Sequence, residues 1–231
     1  MLTREIVTTE DGSSTIFLPE WNESYHSKHG AIQEANHVFI QNGLALMKEK
    51  QAISILELGF GTGLNVLMSA LFAKNNEGSL RYTSLEKFPV LEQEFLGLNY
   101  AEAIRKLDPE KAVDSTQMQQ LYKTIMQTEW HHFQEIQPNF QLKKVETDFF
   151  AFEYPSETYD LVYFDAFGAR VQPELWTENM FEKIYGSMKK DGVLTTYASN
   201  GNARRAMIAV GFQVEKRPGP PGKREMLIAI K

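Results

Sequence analysis

Residues 53–63 read ISILELGFGTG, and the architecture of the chain turns on them. A short apolar, β-branched run breaks at once into three glycines on alternate positions, Gly59, Gly61 and Gly63. This pattern predicts a buried strand that crosses into a helix over a nucleotide-like ligand. Glycine has no Cβ, takes positive φ cheaply and lets a ligand approach the main chain. The unpaired amides that open the following helix then face whatever binds. A dinucleotide fingerprint, GxGxxG, would put its third glycine at position 64, which here is Leu. ELGFGTG therefore favours S-adenosyl-L-methionine (AdoMet) over NAD. A tight strand-to-helix turn without a ligand carries the same local signature.

Working outward, Thr62 is placed to cap a helix carrying Leu64, Leu67, Met68, Leu71 and Phe72. LRYTSLEK (80–87) reads as the next strand, closing on Glu86. Strand, helix, strand with helices of this length implies a parallel sheet. Upstream, residues 1–20 form a β-rich lead-in. Ile32, Ala35, Phe39, Gly43 and Leu46 then mark a helical stripe between Ala31 and Lys48, with Gln33, Glu34 and Gln41 on its outer side. Residues 91–137 break the rhythm with two or three helices where one crossover helix would suffice, and read as an insertion. The sheet resumes with FQLKKVETD (140–148) and TYDLVYFDAF (158–167), whose Leu161 to Phe164 suit a strand buried on both faces. A helix over 175–188, a strand over 193–199 and a helix over 202–210 follow. Two strands joined by a Pro/Gly loop end the chain. The expectation is one α/β domain over 1–231, comprising an N-terminal lead-in and helix (1–50) and a helical insertion (91–137). Its sheet should be mostly parallel and seven-stranded with an antiparallel C-terminal hairpin, the Rossmann-like arrangement of class I AdoMet-dependent methyltransferases.

The bulk numbers bound the function. The chain has 231 residues, 42% hydrophobic and 23% charged, with a mean hydropathy of -0.36. No apolar run is long enough to span a membrane, and MLTREIVTTEDG lacks a signal-peptide core, so a cytoplasmic location without membrane association is expected. Zero cysteines exclude disulfides, thiolate metal sites and a cysteine nucleophile. The five histidines, at 26, 29, 37, 131 and 132, have no metal-like context, so no metal is expected. A net charge of -6 argues against indiscriminate nucleic-acid binding but allows a local basic patch.

In an open α/β sheet the ligand lies beyond the carboxyl ends of the strands, so acids ending successive strands are read together. There are three. Glu86 suits both ribose hydroxyls of an adenosine. Asp148, in TDFF, can accept from an adenine amino group while Phe149 or Phe150 covers a ring face. Asp165, in YFDAFG, emerges from the sheet core at the reaction centre, with Phe167 as a shield. The plainer reading of each is a surface acid or a turn former. Arg204 and Arg205 open the last long helix, and Lys216, Arg217, Lys223 and Arg224 bracket PGPPG. These cations form a candidate phosphate-binding edge, or else a solvated hairpin tip.

YHSKHGAIQEANHVFI, ELGFGTGLNVL, SLEKFP, YFDAFGARVQPELWTENMF and GNARRAMIAVGFQVEKRPGPPGKREML together resemble the methyltransferase part of the MnmC family, in its free-standing form, MnmD. The blocks run in order from about residue 21 to 231. The resemblance implies AdoMet-dependent conversion of 5-aminomethyl-2-thiouridine to 5-methylaminomethyl-2-thiouridine at the tRNA wobble position. It implies the anticodon stem-loop as partner and functional coupling to the enzymes that install the aminomethyl group. Fused relatives carry a flavin-binding oxidase domain; this chain ends at its hairpin, so no FAD is expected. The implied cofactor set is Tyr25, Glu57, Gly59, Phe60, Gly61, Thr62, Gly63, Asn65, Glu86, Lys87, Asp148, Phe149 and Asp165. Asp165 and Phe167 would serve catalysis, and the six basic residues would meet tRNA. Two stretches depart from the family pattern: DAFGARVQP in place of a DAFAPAKNP-like run, which moves a cation to Arg170, and GNARR in place of a GFVRR-like turn. The competing expectation is a small-molecule amine methyltransferase or an aminopropyl transferase; a catalytically silent binding module is a third.

Overall fold

The computed structural model describes residues 3–108 and 114–231. The chain opens with a three-stranded antiparallel sheet, β1 (Glu5–Thr8), β2 (Ser14–Leu18) and β3 (Glu23–Ser24). Helix α1 (Ala31–Ala35) runs into a π-helical turn (Asn36–Gln41) and a 3-10 turn (Leu44–Met47), so the stripe expected as one helix is three short pieces. The break falls at Gly43, where a Cβ would lie 2.4 Å from the Phe39 carbonyl oxygen. Then follow β4 (Ala52–Leu58), α2 (Leu64–Lys74), β5 (Ser79–Glu86), α3 (Glu92–Leu96), α4 (Tyr100–Leu107) and α5 (Ser115–Gln127). The remaining elements are β6 (Gln134–Gln137), β7 (Phe140–Glu146), β8 (Tyr159–Phe164), a 3-10 turn (Pro173–Trp176), α6 (Glu178–Ser187), β9 (Met188–Thr196), α7 (Gly201–Val210), β10 (Gln213–Pro218) and β11 (Glu225–Ile230).

The main sheet has the order β10-β11-β9-β8-β4-β5-β7-β6. Its five central strands, β7, β5, β4, β8 and β9, are parallel, and the antiparallel C-terminal hairpin flanks one side as expected. The sheet holds eight strands rather than the expected seven. The additional one, β6, lies inside the stretch read as the helical insertion and pairs antiparallel with β7. QEIQ is too short and too polar to show an alternating pattern, and its register shifts between Glu135 and Gln137. Residues 109–113 of the insertion and 1–2 of the lead-in lie outside the described residues.

All six residues of β8 are buried, the signature of a strand covered on both faces. Leu161 and Tyr163 enter a core shared with α1, α2, α4 and α5, while Val162 and Phe164 enter one shared with α6 and α7. From β4 the chain runs outward through β5 to β7, then crosses back to β8 and β9 on the other side. The direction reverses between β4 and β8, and a crevice opens there at the carboxyl ends of the strands.

Helices α4 and α5 brace the glycine loop. Thr62, expected to cap α2, does not do so: Gly63 holds the N-cap position with φ 74°. The Thr62 hydroxyl instead shares a 2.8 Å hydrogen bond with the Tyr100 hydroxyl of α4, and Tyr122 of α5 donates to the Thr62 carbonyl at 2.9 Å. Lys144 is buried on β7, donates to the Met126 carbonyl at 2.6 Å and lies over the rings of Phe60 and Trp130. Among the described residues, no helix is long and apolar enough to cross a membrane.

Candidate active site

A cavity of about 620 Å³ opens at the carboxyl ends of β4, β5 and β8, within the roughly 300–1,000 Å³ range of small-ligand sites. Its floor is the glycine loop. Gly59 N and Phe60 N both donate to the Leu85 carbonyl, at 3.0 and 2.9 Å, which ties the loop to the end of β5. Gly59 has φ 103°, and a Cβ there would stand 2.6 Å from the Asp165 carbonyl oxygen. At Gly61, φ 50°, a Cβ would meet the Tyr25 ring at 3.0 Å. Only residues without side chains let β4, β8 and the Tyr25 segment converge this closely.

Three strand-end acids line this cavity together. Glu86 accepts from Gly61 N at 2.9 Å on one oxygen and from Phe88 N at 2.8 Å on the other. Each oxygen keeps a lone pair for a further donor, such as a ribose hydroxyl. Asp148 accepts from Phe150 N and from the Lys87 ammonium, both at 2.8 Å, and the Lys87 hydrogen bond holds its carboxyl below the usual carboxylate range. Lys87 thus meets the cavity beside its acid partner, and Phe149 lines the same wall. Asp165 receives a 2.8 Å hydrogen bond from the Asn65 amide. Enclosure and the nearby Glu34 and Glu57 carboxyls push Asp165 well above its ordinary value, opposed by Asn65 and by Lys223.

An aromatic wall closes the far side. The Phe167 ring packs edge-on against Tyr25 and Trp21, with centroids 5.2 and 5.4 Å apart. Burial and the Glu86 charge push the Tyr25 hydroxyl up to about 12, so it stays protonated. Arg170, the displaced cation of DAFGAR, bonds the Trp21 carbonyl and the Glu23 carboxylate, each at 2.7 Å, and clamps this wall to β3.

Glu57 and Gly63 do not line the cavity. Glu57 lies fully buried on β4, where the Ser84 hydroxyl donates to it, and burial lifts its carboxyl from the usual 4.5 to about 8. A folded value above the unfolded one means that the native state binds the extra proton. This contribution to stability is complete below about 4.5 and is lost as pH rises to about 8. Glu57→Gln, which cannot ionise, should therefore gain melting temperature relative to the parent as pH goes from 5 to 8. A pH-independent difference between the two melting curves would contradict a protonated Glu57.

The basic residues divide. Lys216 pairs with Glu225 at 2.7 Å and Arg217 with Glu215 at 2.9 Å. Arg205 hydrogen-bonds Asn202, and Arg204 is half-buried on α7. Arg224 is exposed. Lys223 turns into the cavity. Burial pushes His26 down to about 4, and His37 contacts the Pro218 carbonyl at 2.8 Å. Among the described residues, no cluster of three or more His, Cys, Asp or Glu could hold a metal ion.

Among the cavity residues that the sequence does not point to are Glu34, Tyr197 and Arg4. Glu34, expected on the solvent side of its helix, is 7% exposed and faces inward. Tyr197 follows β9 and lines the same end. Arg4, in the lead-in, bonds the Phe88 and Pro89 carbonyls and Glu94, fixing the loop after Glu86.

Glycine loop, strand-end acids and topological reversal together define a Rossmann-like protein with a nucleotide cleft, the architecture of class I methyltransferases. Residues 110–231 match the family described as S-adenosyl-L-methionine-dependent methyltransferase, and the chain belongs to that family. Among curated proteins it is similar to the tRNA 5-methylaminomethyl-2-thiouridine biosynthesis bifunctional protein MnmC of Methylobacillus flagellatus, 29% identical over 91% of this chain and 33% of the relative. The protein of the same name from Cupriavidus metallidurans is 28% identical over 97% of this chain and 33% of its own length. The chain thus spans about a third of the curated relatives it matches. Among solved structures, MnmC2 from Aquifex aeolicus superposes with a TM-score of 0.76 at 26% identity, covering 99% of this chain and 70% of that one. Spermidine synthase from Thermotoga maritima, with a TM-score of 0.59 at 11% identity over 100% of this chain and 69% of that one, shares the fold.

Proposed function

We propose that this protein methylates the primary amine of 5-aminomethyl-2-thiouridine at the tRNA wobble position, giving 5-methylaminomethyl-2-thiouridine. The observation that carries the chemistry is the meeting of Asp165 with the glycine loop in one cavity. The acceptor comes from the relatives, whose names specify this modified uridine. In this reading Glu86 takes the ribose hydroxyls, Asp148 and Phe149 the adenine, and the amides at the start of α2 the remaining cofactor end. When bound, AdoMet would supply a methyl group on a sulfonium, its sulfur leaving as the neutral thioether of S-adenosylhomocysteine when an amine lone pair takes the methyl in line. The chain's own task is alignment and proton removal. A free alkyl amine holds its proton to about 10.4, and desolvation beside a cation lowers that value. Asp165, with its own value raised, orients the amine and accepts the proton that must leave before attack. Phe167 and Tyr25 shield the reacting end from water.

The anticodon stem-loop would lie against the face bearing Arg204, Arg205 and the hairpin, with enzymes that install the aminomethyl group acting beforehand in the cytoplasm. Arg224, exposed at the hairpin loop, should contribute one phosphate contact. Arg224→Glu is expected to weaken tRNA binding and to flatten the salt dependence by about one unit of slope while leaving AdoMet affinity unchanged. An unaltered salt series would remove Arg224 from the RNA face. The reaction itself is tested with labelled AdoMet and tRNA from a strain lacking the final methyl group. Label should appear in the wobble nucleoside after digestion. Label appearing in a small amine instead would favour the small-molecule reading.

A further inference from the structure

The cavity end beside Asp165 already holds an alkylammonium. Lys223, from the loop between β10 and β11, places its ammonium 2.6 Å from Glu34 Oε1 and 4.0 Å from the centroid of the Tyr197 ring. Glu34 is fixed for this contact, because its other oxygen accepts from Ser27 N at 2.7 Å. Tyr197 is fixed as well, its hydroxyl donating to the Ala166 carbonyl at 2.8 Å, one residue past Asp165. A carboxylate set against an aromatic face is the chemistry that recognises an ammonium group. The Lys223 side chain is 33% exposed, so water reaches it, whereas that of Glu34 is 9% exposed.

The loop has other anchors. His37 bonds the Pro218 carbonyl at 2.8 Å, the Gly219 and Lys223 amides close the turn onto Arg224 and Pro220, and Gly222 packs against the His29 ring. Lys223 therefore need not be a latch, and its flexible four-carbon stem can withdraw without releasing the hairpin.

We propose that Glu34 and Tyr197 form the seat of the acceptor's ammonium group, which the Lys223 side chain fills as a placeholder until a primary alkylammonium substrate enters. This rests on the reading of the acceptor as an aminomethyl group. Lys223 then limits access by competing for its own seat, and Glu34 delivers the incoming amine to Asp165.

Opposite signs in two variants test the proposal. Lys223→Met should lower the KM for the tRNA acceptor several-fold, and Glu34→Gln, which preserves the bond to Ser27, should raise it by about tenfold or more. The KM for AdoMet should change in neither. Lys223→Gln repeats the first arm if the Met variant folds poorly, and melting curves identify that case. Acceptor KM values moving in the same direction would make the pair a structural latch and overturn the proposal. So would a rise confined to the AdoMet KM, which would assign the seat to the cofactor. A second readout needs no tRNA: n-butylammonium titrated into Lys223→Met with S-adenosylhomocysteine present should bind, more weakly to the parent, and not to Lys223→Met/Glu34→Gln. Binding here without methyl transfer to tRNA would retain the seat and reject the tRNA acceptor; no binding in any variant would reject the seat.

Discussion

Asp165→Asn is expected to slow methyl transfer by about 10²–10⁴-fold, the usual worth of a positioned acid or base, with AdoMet affinity changed only a few-fold. Asparagine is isosteric and still offers an oxygen to the Asn65 amide, which donates to Asp165 at 2.8 Å, so the cavity should keep its shape. What it loses is the capacity to take a proton. The pH profile supplies a sharper signature. Burial and the flanking carboxyls raise Asp165 above the ordinary carboxylate range, so it becomes a competent base only as pH climbs through that raised value. The parent's turnover should rise across this limb, and the limb should be missing from the residual activity of the variant. Unchanged turnover would make the carboxylate dispensable.

Gly59→Ala is the second large effect. The backbone at this position has φ 103°, and the new Cβ would press to 2.6 Å against the Asp165 carbonyl oxygen, a backbone atom that cannot rotate away. Strain of this kind costs about 1–3 kcal/mol, or roughly 5–150-fold in an equilibrium constant. Because the clash lies between the glycine loop and the strand end that carries Asp165, it should appear both as a lower melting temperature and as weaker AdoMet binding. Gly186 is the matched control: it lies within α6, and a Cβ there meets nothing within 4 Å. Gly186→Ala should leave affinity alone and hold or raise the melting temperature, since alanine is the better helix former. Equal behaviour of the two variants would refute the steric account of the loop.

Features written into consecutive residues were legible in advance. The β4–glycine loop–α2 unit, the doubly buried β8 and the C-terminal hairpin each announce themselves through unbroken apolar runs or Pro/Gly punctuation. Glu86, Asp148 and Asp165 could be grouped because a parallel sheet brings its strand ends together whatever lies between them. What failed to show depends on distant partners. Thr62 looks like a helix cap in its own sequence, and Tyr100 of α4 and Tyr122 of α5 recruit it elsewhere. Glu34 reads as the polar side of a helix until Lys223, 189 positions away, arrives to pair with it. Lys223 in turn reads as one cation of a basic tip. Strand β6 is four mostly polar residues whose pairing is decided by the neighbouring edge of β7, not by its own pattern.

We propose that AdoMet lies in the cavity between the glycine loop and Asp165, with its reactive end toward the amine seat. A crystal structure of the complex with S-adenosylhomocysteine tests it most directly. The expected result is ribose hydroxyls on the Glu86 carboxylate, adenine between Asp148 and Phe149, and the sulfur turned toward Asp165. Density for the ligand outside this cavity, or with its adenine against Asp165 and its homocysteine end at Glu86, would contradict it.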